Sequence, residues 1–251
     1  MADTEQDPAA AAMAAPEARA ESDVVHAVGV GPGNPAFLTG RAADRLAGAD
    51  VVVGFETVVD VVRDATDATL LTCGYDDEAA TLSAFGDRVA AGAAGVAVLM
   101  GDPNVSGYQF LGRVEAALDR PVRVVPGISS VQVAASRART PIERSTVVSL
   151  HRRGSVDHAL DRLVGAAGER HLIAIPRPFD WMPADVAAHL VDRGADPDLA
   201  ALVFERLTHA DESVTETTLG TLAADAGGDG LEDTDFSDLS LLVVRAAEGR
   251  L

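Results

Sequence analysis

The sequence predicts an α/β protein of two domains, the first on a largely parallel five-stranded sheet and the second on a mixed sheet. Three observations predict it. Short β-branched runs alternate with helix-length amphipathic stretches through the first half, the pattern of a parallel sheet with crossover helices. Pro141 interrupts that alternation, and the last strand-like runs flank only a short helix and an acidic, glycine-rich connector over 226–238, which argues for mixed pairing. With 251 residues and 47% hydrophobic content, the chain is long enough for two cores.

Taken in order, residues 1–22 are rich in Ala, Glu and Asp and lack the basic start and apolar stretch of a signal peptide, so they read as a disordered tail. Residues 24–28 form a buried strand, and Asn34-Pro35 supplies an N-cap and a first-turn proline for a helix over 36–47. Strands follow at 51–53, 69–72, 96–100 and 122–125, with helices at 57–63, 77–91, 108–118 and 131–138 between and after them. The second half continues with strands at 146–150, 172–175, 201–205, 214–218 and 239–244 and helices at 157–166 and 184–193. The expected domains are 23–140 and 141–247.

Charge and composition narrow the function. Thirty-nine acidic residues oppose 20 basic ones, a formal net of −19, and every basic residue is arginine. So negative a field repels phosphate backbones, which argues against nucleic acid as a partner. It also implies a salt-rich cytoplasm, because molar salt shrinks the Debye length to roughly 3 Å and removes the self-repulsion. One cysteine, Cys73, allows no internal disulfide and fits a reducing compartment. No apolar run approaches the roughly 20 residues a membrane span needs. The six histidines lack metal-ligand spacing, so no metal site is expected.

Three glycine-containing loops follow predicted strands one, four and five. In Gly29-Val30-Gly31-Pro32-Gly33 the glycines permit positive φ and close backbone approach, and Pro32 stiffens the turn. A bare strand-to-helix connection explains it too. A dinucleotide fold wants glycine where Asn34 stands, and a phosphate P-loop needs a lysine that the chain lacks. Gly101-Asp102-Pro103 places a carboxylate at the edge where parallel sheets hold ligands, or makes a plain turn. Pro126-Gly127-Ile128-Ser129-Ser130 opens a helix with backbone N–H groups and hydroxyls, or is a serine cap. In the second half, Ser149-Leu150-His151-Arg152-Arg153-Gly154 ends a strand with an imidazole and two guanidiniums, suited to an anionic ligand or to balancing surface carboxylates.

Taken together with Glu205-Arg206-Leu207-Thr208, the order and spacing of these loops resemble the tetrapyrrole methylase family over residues 24 to about 245. The resemblance implies two αβα domains with a cleft between them for S-adenosylmethionine, and a homodimer. It implies that Pro32, Met100, Gly101, Asp102, Val105, Ser129, Ser130 and Leu207 line the cofactor pocket. Within the family, Ser129-Ser130-Val131-Gln132 and Ser149-Leu150-His151-Arg152 are similar to enzymes that methylate C5 of precorrin-7 or cobalt-precorrin-7. The pattern there has glycine after the histidine, where this chain has Arg152. Uroporphyrinogen methyltransferases carry an acid after the second strand, where this chain has Phe55. The expected substrate is a small polycarboxylate tetrapyrrole, with Arg152 and Arg153 on its acidic arms and His151 on the proton path. The alternatives are another precorrin or uroporphyrinogen methyltransferase of the same family and, in different classes, a nicotinamide-dependent oxidoreductase or a non-catalytic tetrapyrrole binder.

Overall fold

A computed structural model describes residues 7–14, 24–105, 107–152, 154–178, 180–227 and 234–247. The chain divides into two compact units, residues 1–129 and 130–251.

The first unit holds β1 (Val25–Gly29), β2 (Val51–Phe55), β3 (Thr69–Cys73), β4 (Gly95–Leu99) and β5 (Val122–Val125) in one sheet of order β3-β2-β4-β1-β5. Every pairing in it is parallel. Because successive side chains of a strand point to opposite faces, Ala27 packs under one helical layer and Val28 under the other. α4 (Glu78–Ala90) and α5 (Tyr108–Ala116) cover the first face through Phe85, Leu111 and Val114. α2 (Gly40–Ala47) and α3 (Glu56–Val62) cover the second through Leu46 and Val59. β1 and β4 are buried at all five positions, as parallel strands sheltered on both faces must be.

Two local expectations change. The helix expected over 36–47 is split. Asn34 does cap a turn, accepting from the Ala36 amide at 2.9 Å, but that turn is a single 3-10 winding over Pro35–Phe37. Leu38 and Thr39 are extended, and α2 starts afresh with Thr39 accepting from the Ala42 amide. The expected structureless tail also holds a helix, α1 (Pro8–Ala14), packed against α5. Its alanines have the highest intrinsic helix propensity. Gly112 of α5 leaves the space that the Pro8 carbonyl fills, since a Cβ there would lie 1.9 Å from that oxygen.

The second unit holds β6 (Ser145–Ser149), β7 (His171–Ile175), β8 (Ala200–Glu205), β9 (Ser213–Thr218) and β10 (Ser240–Val244), in the order β6-β7-β10-β8-β9. β6 and β7 are parallel, and the other pairings are antiparallel. α7 (Asp157–Ala166), α8 (Pro183–Asp192) and α9 (Leu219–Ala223) bury Leu163, Leu190 and Leu222 against Leu172, Val203 and Leu242. The edge strand β9 is largely exposed and made of Ser, Thr, Val and Glu, which blunts it against pairing with another chain. α6 (Ser130–Ala138) packs on β10 and β7, so its contacts belong to this unit, whereas the sequence reading carried the first domain on to residue 140.

Candidate functional site

The strand order brings the three glycine loops together, because β4, β1 and β5 are immediate neighbours and all end on one edge. Gly31 and Gly101 form an antiparallel bridge, with the Gly101 amide donating to the Gly31 carbonyl at 2.7 Å and the reverse bond at 3.2 Å. Gly31 and Gly101 have φ of 87° and 65°, which glycine reaches without a steric penalty. A Cβ on Gly127 would lie 2.2 Å from the Gly101 carbonyl oxygen, and one on Gly29 would lie 2.7 Å from the Gly127 nitrogen. The glycines therefore let three backbones touch.

Asp102 fastens this junction. Its Oδ2 accepts from the Gly127 amide at 3.0 Å, across 25 residues of sequence. Its Oδ1 accepts from the Asn104 amide and side-chain Nδ2, both at 2.7 Å. A carboxylate offers about four acceptor positions, so one remains for a ligand donor. Ser129 is buried and lies against Gly101, and Ser130 is the next residue, the first of α6. Pro32 is buried, Val105 is half-buried, and Met100 packs partly against the core of β1, α2 and α3. Pro32, Met100, Gly101, Asp102, Val105 and Ser129 thus lie on or beside these loops in one unit.

In the second unit, Leu207 is 3% exposed in the loop after β8. It sits between Arg206 at φ 49° and Thr208 at φ 72°. Such conformations cost on the order of 1–3 kcal/mol each outside glycine, and a β-branched threonine tolerates them poorly. His151 and Arg152 are exposed just past β6. Arg153 lies outside the described residues. Surrounding chain lowers the pKa of His151 by desolvation, and the opposing field of Asp238 raises it, so the neutral ring is favoured relative to an ordinary histidine.

Arg177 belongs to no motif in the sequence, yet it shapes this site. Its Nη1 donates to the carbonyls of Gly154 at 2.8 Å and Arg152 at 3.3 Å, holding the loop that carries His151. Asp180 receives its other face in a two-point fork, and paired backbone bonds between Arg177 and Trp181 close the turn. The only signal was an Arg and an Asp three residues apart beside prolines, which reads as ordinary turn chemistry. Among the described residues, no helix is long and apolar enough to cross a membrane.

Residues 24–223 match the family model of the tetrapyrrole (corrin/porphyrin) methylases. The chain is 26% identical to the probable cobalt-precorrin-7 C(5)-methyltransferase of Methanocaldococcus jannaschii, over 90% of this chain and 99% of that protein. Its fold is similar to that of the uroporphyrin-III C-methyltransferase from Thermus thermophilus complexed with S-adenosylhomocysteine. There the TM-score is 0.65 and the identity 23%, over 88% of this chain and 92% of that one. It is also similar to the cobalamin-biosynthesis precorrin-6Y methylase from Archaeoglobus fulgidus, with a TM-score of 0.59 and 22% identity over 89% of this chain and 98% of that one. The three-loop junction after β1, β4 and β5 lies inside the matched region, and the chain belongs to the tetrapyrrole methylase family.

Proposed function

We propose that the chain is a cobalt-precorrin-7 C5-methyltransferase of cobalamin biosynthesis, using S-adenosylmethionine. The observation that carries the methyl-donor site is the junction of the loops after β4, β1 and β5, with Asp102 at its centre. The similarity to the M. jannaschii protein along nearly its whole length supports the choice of ring carbon.

The residues present fit the donor. Asp102 retains acceptor capacity for an ammonium, and the hydroxyls of Ser129 and Ser130 stand next in the chain to the Gly127 loop. Pro32, Met100, Val105 and Leu207 supply apolar surface for an adenosyl group. When bound, S-adenosylmethionine supplies an electrophilic methyl group for in-line displacement by a ring carbon.

What remains for the protein is orientation, since holding two bound partners in line can remove roughly 7–11 kcal/mol of the barrier. Arg152 and Arg153 hold the carboxylate arms of the macrocycle, where a planar guanidinium gives two-point recognition. His151, whose pKa lies below that of an ordinary histidine, accepts the proton released from the methylated carbon. Incubation with labelled S-adenosylmethionine and a panel of precorrin intermediates, with carbon NMR of the product, tests the assignment. A new methyl on C5 is expected; a methyl on any other carbon, or turnover only of another intermediate, overturns it.

A further inference from the structure

Two of the three non-glycine residues with positive φ among the described residues, Arg206 and Thr208, flank Leu207. A backbone of that shape does not persist unless its surroundings hold it. Glu212 does so. Its Oε2 accepts from the Thr208 amide at 2.6 Å, and its side chain is only 16% exposed. Its other oxygen accepts from Nη1 of Arg137 on α6. The Glu212 amide in turn donates to the His209 carbonyl, and the His209 amide to the Arg206 carbonyl, so the carboxylate is itself tied into the turn it clamps.

Arg137 is seven residues beyond Ser130 on α6, which is two turns along the same stripe of the helix. One carboxylate therefore fastens the strained backbone at Leu207 to the helix that starts at Ser130. Arg206 makes a separate, exposed pair with Asp211 at 2.7 Å, leaving the buried anchoring to Glu212.

We infer that Glu212 is a positioning residue for the methyl-donor pocket: it sets the loop at Leu207 and locks that loop to α6, without touching the donor. This rests on the reading of Leu207 and Ser130 as donor-pocket residues. Glu212→Gln keeps an oxygen for the Thr208 amide but turns an NH2 toward the Arg137 guanidinium, whereas Glu212→Ala removes both the Thr208 bond and the Arg137 pair.

The test is calorimetric titration of the full chain with S-adenosylhomocysteine, alongside the Michaelis constants for donor and tetrapyrrole. Glu212→Ala is expected to weaken binding at least tenfold and to raise the donor constant in parallel, with the tetrapyrrole constant within twofold of wild type. Glu212→Gln, which keeps the Thr208 bond but loses the Arg137 pair, is expected to weaken binding by about threefold to tenfold, between wild type and Glu212→Ala. If Glu212→Ala does not fold, Glu212→Asp, one methylene too short to span both partners, is expected to show the same selective loss. Undiminished affinity in a folded Ala or Asp variant overturns the inference alone. Failure of the wild-type chain to bind S-adenosylhomocysteine overturns the cofactor reading, and this inference with it.

Discussion

The Gly127 amide donates to Oδ2 of Asp102 at 3.0 Å, so a side chain from the loop after β4 holds the backbone of the loop after β5. The residue that the sequence marked as a ligand contact is also a structural staple. Asp102→Ala removes the acceptor from a partly buried N–H, which costs about 1–2 kcal/mol. Asp102→Asn turns an amide NH2 toward either the Gly127 amide or the two Asn104 donors, losing at least one of three contacts. Both variants are expected to lower stability in urea titrations and to weaken S-adenosylhomocysteine at least tenfold. A variant that loses stability while keeping full affinity would show that Asp102 is a staple alone.

Backbone contact at the junction predicts a contrast between glycines. At Gly127 a Cβ meets backbone atoms at 2.2 and 2.8 Å, which cannot give way as a flexible side chain does. Gly127→Ala is expected to cost about 3 kcal/mol, the upper range for overpacking, and to abolish donor binding. Gly92 has φ of 103° but open space around it, so Gly92→Ala carries only conformational strain, about 1 kcal/mol, and leaves binding intact. Equal losses in chemical denaturation would contradict the contrast.

Arg177 carries the loop of His151 and Arg152, so its removal is expected to act on the tetrapyrrole and not on the donor. Arg177→Ala leaves the carbonyls of Arg152 and Gly154 without that donor and releases Asp180. The expected result is a rise of about tenfold in the Michaelis constant for the macrocycle, near 1.4 kcal/mol, with S-adenosylhomocysteine affinity unchanged. Parallel loss of both affinities would place Arg177 in general stability instead.

Stability should fall on mild acidification through His171. The residue is 1% exposed, and its Nδ1 accepts from the Ala246 amide at 3.0 Å, which requires the neutral ring. Burial lowers its pKa, and Arg245, Arg144 and Arg170 lower it further. The unfolded chain takes up this proton near pH 6.5, whereas the folded one resists it to lower pH. The contribution is therefore complete above about pH 6.5–7 and is lost as pH falls from there toward the folded value. His171→Asn, which keeps an acceptor near the Nδ1 position, should show a shallower loss of unfolding free energy between pH 7 and 5. Superimposable profiles would rule this histidine out.

Much of the fold was legible because strand and helix periodicity is local. The strands read at 122–125 and 69–72 and the helix at 157–166 lie within a residue of β5, β3 and α7. The split before α2 was not legible, since Asn34 and Thr39 are both competent caps and the sequence ranks neither above the other. α1 escaped for a different reason: its docking depends on Gly112, about 100 residues away, and not on any pattern of its own.

By itself the sequence determined the succession of strands and helices, the three glycine loops after strands one, four and five, and the family resemblance they carry. Tertiary structure alone decided that β4, β1 and β5 are neighbours, that Asp102 reaches Gly127, and that Arg177 and Glu212 are clamps in a chain with 39 acidic residues. It also decided where residues without glycine's freedom, Arg206 and Thr208, take positive φ. The physical reason is the same in each case. Periodicity and turn chemistry act within a few residues, whereas a hydrogen bond between distant segments depends on which strands become adjacent.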